Sequence, residues 1–222
     1  MRLKRYRLVA CLAALSIVAG CYFNIGNNGV RGSRIVKTEY REVAGFSSVS
    51  FKSVGRVNVQ QTGKESLIIS AEDNILPLLE SRVKDRILYL SIANDSSFVP
   101  SKPIEFFLEV KSLESLNIDG VGSIEAKGIQ GKRLAVAMDG VGKVTIAGSA
   151  DVLDITLSGV GSFKGDEFKT KQATVRNSGV GSAVVNVSDR LDASVSGVGS
   201  IEYVGSPQVQ ESVEGVGKVK KR

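Results

Sequence analysis

The 222-residue chain has no histidine, no tryptophan, two cysteines and four prolines. Without histidine there is no Ser-His-Asp triad, no His-ligated zinc and no imidazole proton shuttle. Two cysteines cannot build a disulfide framework or a cysteine-rich zinc site. So few prolines, beside 24 glycines, do not fit a collagen-like or proline-rich disordered chain. Aromatics are only 6% of residues while hydrophobic residues reach 42%, which points to a core of Val, Ile, Leu and Ala. Length allows one large domain or two small ones.

The chain opens with Arg2, Lys4, Arg5 and Arg7, followed by an apolar run from Leu8 to Val18. The run is shorter than the roughly 20 residues of a relaxed membrane span and fits a secretory signal. It ends Ser16-Ile17-Val18-Ala19-Gly20-Cys21, small residues before a cysteine that resemble the bacterial lipobox. The resemblance implies cleavage after residue 20 and lipid on Cys21. An ordinary signal peptide with a chance cysteine is the alternative. Cleavage would leave 202 residues and remove four basic and no acidic groups, lowering the net charge from +6 to +2. Cys11 would leave with the signal, so no intramolecular disulfide could form. The apparent basicity thus gives little support to nucleic-acid binding. Several acyl chains would hold a membrane where one is marginal. Tyr22 after the cysteine, in place of Asp, points to the outer membrane. The Gly/Asn-rich residues that follow read as a flexible tether, giving a lipidated N-terminus and tether over 21–42.

A repeat organises the rest. Gly-Val-Gly followed by Ser or Lys begins at Gly120, Gly140, Gly159, Gly179, Gly197 and Gly215, at intervals of 20, 19, 20, 18 and 18. Fixed-period self-similarity marks a solenoid. Two residues before the first Gly stand Ile118, Met138, Leu157, Asn177, Val195 and Val213. Four before it the column is apolar until Glu211, and four after it stand Ile124, Val144, Phe163, Ala183, Ile201 and Val219. The alternation before the motif reads as a strand with one buried face. Counting the valine as apolar and buried puts the columns three apart across the motif. That break in parity predicts a corner with the valine filling its inside. The second glycines, Gly122, Gly142, Gly161, Gly181, Gly199 and Gly217, complete the turn. A second turn takes up the variation in rung length. Such columns, stacked at about 4.8 Å, predict an all-β, right-handed parallel β-helix with rungs of about 19 residues. Stacked hairpins or a propeller are the alternatives, though propeller blades need about 40 residues.

Upstream, Ser47, Val49, Phe51, Ser53-Val54-Gly55, Val57 and Val59 fit the same columns as a degenerate rung. Between it and the regular array, strands are expected over Leu67–Ala71, Ile87–Ile92 and Ile104–Val110. A short helix is expected over Ile75–Val83, with Pro77 in its first turn. This portion (43–119) should cover one end of the regular solenoid (120–222), the two forming one continuous domain. Basic residues in Lys218–Arg222 should discourage strand pairing at the other end.

The residue before each motif is Asp119, Asp139, Ser158, Ser178, Ser196 or Glu214. Stacked carboxylates at Asp119 and Asp139 would repel, or share a cation such as calcium. The plainer reading has these side chains bonding the backbone of the turn. Gly140-Val141-Gly142-Lys143 is not a phosphate loop, because Ala137 and Val144 stand where Gly and Ser or Thr are needed. No catalytic constellation emerges.

Phe46-Ser47-Ser48-Val49, Val57-Asn58-Val59, Asn74-Ile75-Leu76, Leu113-Glu114-Ser115-Leu116 and the Ser-Gly-Val-Gly repeats together resemble a bacterial domain of unknown function, the putative auto-transporter adhesin, head GIN domain family. The resemblance covers about residues 43–207. It implies a β-helical, envelope-associated protein and carries no catalytic residue. The expectation is an outer-membrane lipoprotein presenting a rigid, non-catalytic binding or adhesion module. It would hold the membrane through lipid on Cys21 and meet a protein or glycan ligand, without nucleic acid and without a cofactor unless the acidic column takes calcium. A carbohydrate-active enzyme or metal-dependent glycan binder using that column is one alternative. A structural or stress-linked envelope protein is another. The sequence sets neither oligomeric state nor ligand.

Overall fold

The computed structural model describes residues 29–93 and 96–222. Cys21 and the signal segment lie outside them. Among the described residues Leu76–Leu78 form a 3-10 turn, and no helix is long and apolar enough to cross a membrane.

The regular array consists of β10 (Ser115–Ile118), β11 (Val121–Met138), β12 (Val141–Leu157), β13 (Val160–Asn177), β14 (Val180–Val195), β15 (Val198–Val204), β16 (Gln208–Val213) and β17 (Val216–Lys221). Each long strand bends midway, and each pairs in parallel with the next rung along both arms. The register is the one the repeat dictates, with Val121 beside Val141, Val141 beside Val160 and Val160 beside Val180. This is a parallel β-solenoid. Its rungs differ in length at the second turn, where the register shifts after Ala126, Thr145 and Gly165.

The interior columns are those the alternation marks. Leu116, Val136, Ile155 and Val175 are buried on one arm, and Ile124, Val144, Phe163 and Ala183 on the other. A single rung has no second layer to cover these side chains, so burial comes only from closing and stacking the rungs.

The corner differs from the expectation in one respect. Alternation runs through Gly-Val-Gly without a break, so the glycines take the inward parity and the valine faces out. Val121, Val141, Val160, Val180 and Val198 are each 48–51% exposed. None plugs the inside of the corner. The glycines are required by stacking. A Cβ on Gly140 would lie 2.1 Å from the Gly120 carbonyl oxygen, and one on Gly181 would lie 1.7 Å from that of Gly161. These are backbone atoms of the adjacent rung and cannot rotate away. Gly-on-Gly stacking therefore lets two rungs approach closely enough to bond, for instance Val141 N donating to Gly120 O at 3.0 Å.

The degenerate rung is present and integral. It is built from β3 (Ser48–Lys52) and β4 (Val54–Gln61), and Val54 stacks beneath Val121. The intervening chain covers this end of the stack. On one arm, β7 (Ile87–Ile92) pairs in parallel with β3, and β6 (Leu79–Lys84) adds antiparallel to β7. On the other, β9 (Glu105–Val110) pairs in parallel with β4, β5 (Ser66–Glu72) adds antiparallel to β9, and β2 (Val36–Arg41) adds antiparallel to β5. Phe51 and Phe106 meet edge to face beneath this cap, ring centres 5.7 Å apart. A two-stranded parallel pair, β1 (Val30–Arg31) with β8 (Phe98–Val99), lies apart from the main sheet.

Two local expectations give way. Only the 3-10 turn forms where a helix over Ile75–Val83 was expected, and the rest is β6. Its Leu79-Glu80-Ser81-Arg82 stretch alternates covered and exposed side chains, Leu79 buried and Ser81 half-buried, and β7 offers it an open edge. Asp85 and Arg86, both at positive φ (52° and 62°), close a two-residue hairpin of the type that usually takes Asn-Gly. The tether expected over 21–42 is likewise shorter, because β1 and β2 fix residues 30–31 and 36–41 to other strands.

Candidate binding surfaces

Two exposed surfaces and one buried latch of this scaffold carry the chemistry. The corner carries the outward valine ladder from Val54 to Val216, with glycine on both sides from Val121 onward. Beside it run the Asp119, Asp139 and Glu214 column on one flank and the Ser123, Lys143 and Lys218 column on the other.

Asp119 and Asp139 occupy adjacent rungs on the exposed side of the corner. Lys52 of the degenerate rung reaches Asp119 at 3.0 Å. Among the described residues no group of three or more His, Cys, Asp or Glu could hold a metal ion. A cation would thus have to displace Lys52 and be held by two carboxylates, far fewer oxygens than calcium takes. Of the serines in this column, Ser178 donates to the Leu157 carbonyl at 3.4 Å, the backbone bond expected of a turn residue.

The second surface crosses the capped end. Tyr40, Ile68 and Phe107 are register neighbours on β2, β5 and β9, and they are exposed. Asn58 and then Glu125 continue the row. Ile68, Phe107, Asn58, Ser66, Glu125 and Lys127 border a shallow cleft of about 290 Å³. Lys127 donates to Glu125 at 2.6 Å, which holds the Glu125 carboxyl below and the Lys127 ammonium above their ordinary pKa values. The result is an apolar floor ending in a charged pair, suited to a ligand with one apolar face and hydroxyl or amide groups at its edge. Sequence reasoning missed it, because Ile68 and Phe107 lie on strands whose other face is core, while Tyr40 lies on β2, which buries neither face. Only strand order brings them into one row.

The third is a latch. Glu72 is buried, and its carboxylate accepts from Arg34 N at 2.6 Å, Ser101 N at 2.8 Å and Lys102 N at 3.3 Å. Burial raises its pKa, but these amides outweigh that effect and hold the carboxyl below its ordinary 4.5. Gly32 packs against it, where a Cβ would lie 2.0 Å from Glu72 Oε2. The latch fixes the strand-poor segment around residues 32–35 to the loop before β9.

The family model described as "Putative auto-transporter adhesin, head GIN domain" matches residues 45–207. The chain belongs to this family. No curated protein matches it. The solved structure of a putative adhesin from Bacteroides fragilis is 28% identical, covers 87% of this chain and 100% of its own, and superposes with a TM-score of 0.74. A putative lipid binding protein from Parabacteroides distasonis shares the fold at 17% identity and a TM-score of 0.52, covering 87% of this chain and 99% of its own. The adhesin family match spans the degenerate rung, the cap strands from β5 to β9 and all but the last rung of the solenoid, while β2 precedes it. Its description is adhesin-like, and it speaks for association with the cell envelope or surface.

Proposed function

We propose that this protein is a lipoprotein, anchored in the outer membrane through Cys21, that presents the solenoid as a rigid, non-catalytic adhesion module. The row formed by Tyr40, Ile68 and Phe107 carries the reading. Two exposed aromatics and an isoleucine on a paired sheet are an unusual outlay of apolar surface, and aromatic anchors dominate binding energetics. The adhesin family and the lipobox-like residues Ser16–Cys21 support it. The ligand is a glycan or protein of the envelope or of a neighbouring surface. Binding needs little rearrangement, because strands pair on both sides of Ile68 and Phe107.

The test is external protease on intact cells, followed by blotting for the protein and for a periplasmic marker. Degradation with the marker intact supports surface presentation. Full protection refutes adhesion under those conditions. Cys21→Ser reads the anchor separately, and the expected outcome is loss from the membrane fraction.

A further inference from the structure

We infer that the valine ladder is a self-association surface on which a second copy of this chain packs side by side, with the two solenoids parallel and in register. Six steps of about 4.8 Å carry the ladder some 29 Å from Val54 to Val216. Identical side chains repeating at strand spacing form dry, interlocking faces when they meet their like. The flanking glycines leave each valine from Val121 onward with no side chain immediately beside it.

The flanks select the partner and its direction. Among the described residues Asp139, Lys143, Glu214 and Lys218 form no ion pair within the chain, whereas thirteen other pairs do form. A two-fold axis parallel to the solenoid sets the acidic column of one copy against the basic column of the other, rung by rung. Asp139 then faces Lys143 of the second copy, Glu214 faces Lys218, and Asp119 faces Ser123. Each contact occurs twice, as a closed two-fold interface requires. The one unfavourable meeting, Lys52 opposite Arg56, involves cations already held by Asp119 at 3.0 Å and Glu105 at 3.3 Å. An antiparallel pair centred on Val160 sets Glu214 against Lys52, which Asp119 already holds, but sets Arg56 against Lys218 and leaves Asp139 facing Ser178 and Lys143 facing Ser182. The four unpaired charges therefore favour the parallel form.

The strip from one flank to the other spans five residues, about 13 Å, so each copy offers on the order of 400 Å². That is about half the 800 Å² per partner of a standard stable interface. The pair is accordingly weak in dilute solution and forms where chains are concentrated on one surface. The parallel arrangement keeps both N-termini at the same end, as two anchored chains require. This last point rests on the proposed Cys21 anchor.

The experiment is oxidative cross-linking of the full chain in cells, with single cysteines at Val121 or Val198 and the parent chain as background. Both positions are half exposed, so the substitutions leave folding intact, which protease resistance verifies. Each variant alone is expected to give a disulfide-linked dimer. Asp139→Lys is expected to lower the Val121→Cys dimer at least about tenfold, and adding Lys143→Asp to restore it. Absence of dimer from both cysteines in a folded chain overturns the proposal. So does a dimer seen only when Val121→Cys and Val198→Cys are co-expressed, which is the antiparallel signature. Membrane fractionation of the same cells reads the anchor independently. A chain that cross-links from the soluble fraction supports the pairing and refutes the anchor.

Discussion

Gly181→Ala tests why glycine recurs at the corner. An alanine Cβ there would lie 1.7 Å from the Gly161 carbonyl oxygen, while ordinary contact begins near 3.4 Å. Either the two rungs separate locally by about 1.7 Å or the corner deforms. Separation breaks two or three inter-rung hydrogen bonds, worth about 1 kcal/mol each. The overpacking left after relaxation costs a further 1–3 kcal/mol or so. The expected destabilisation is therefore about 3–6 kcal/mol. With a urea dependence of about 2 kcal/mol per molar, the unfolding midpoint should fall by roughly 1.5–3 M. Gly131→Ala is the control. Its nearest foreign backbone atom is 3.8 Å from the added Cβ, and its φ is not positive. It should leave the midpoint unchanged or raise it slightly, because alanine restricts the unfolded chain. Circular dichroism of both variants through a urea titration makes the comparison. Coincident midpoints would refute the stacking argument and return the glycines to a general need for turn flexibility.

Other predictions follow from the same geometry. Phe163→Ala, in the centre of the solenoid, should cost about 3–5 kcal/mol by the same titration. Phe107→Ser should abolish retention on the ligand-bearing surface while changing stability by no more than about 0.5 kcal/mol, and a large drop in the unfolding midpoint would remove Phe107 from the binding argument. The Glu72 latch has a pH signature. Its folded pKa lies below 4.5, so its contribution is fully present above pH 4.5 and is lost as pH falls through the folded value. Limited proteolysis should therefore nick the segment around Gly32 and Ser101 more readily at pH 3 than at pH 6. Glu72→Gln should be nicked readily at both, and equal resistance of parent and variant at both pH values would refute the latch.

How much of this was legible in the sequence depends on what set each feature. The rung register was legible, because each rung's alternation is repeated five times over and the columns agree with one another. Ser53-Val54-Gly55 could be placed by the same columns despite its altered first residue. The direction of the valines was misread. Residue type says that valine is buried and glycine is neutral, whereas the backbone contact between rungs forces glycine inward and leaves valine the other parity. The cap was legible as strands but not in its order. Asp85-Arg86 carries no hairpin signature, and the edge of β7 that recruits residues 79–84 exists only after folding. The exposed row depended on that same strand order, so it was hidden for the same reason. The tether misled because Gly- and Asn-rich composition ends only a few residues before β2, whose Val36, Thr38 and Tyr40 alternate with charged neighbours.

Glu211 bears on how the molecule responds to load. It is the one charge in an otherwise apolar column, and Val209 and Val213 beside it are exposed, so the last rung has the least apolar burial to hold it. At the opposite end the added strands, the Phe51–Phe106 pair and the Glu72 latch reinforce the first rung. A pull on the C-terminal end should therefore peel rungs in sequence from that end. Each release of about 18 residues frees roughly 60 Å of chain. The molecule would lengthen in nearly equal steps while its capped end stays folded, dissipating force as a serial brake.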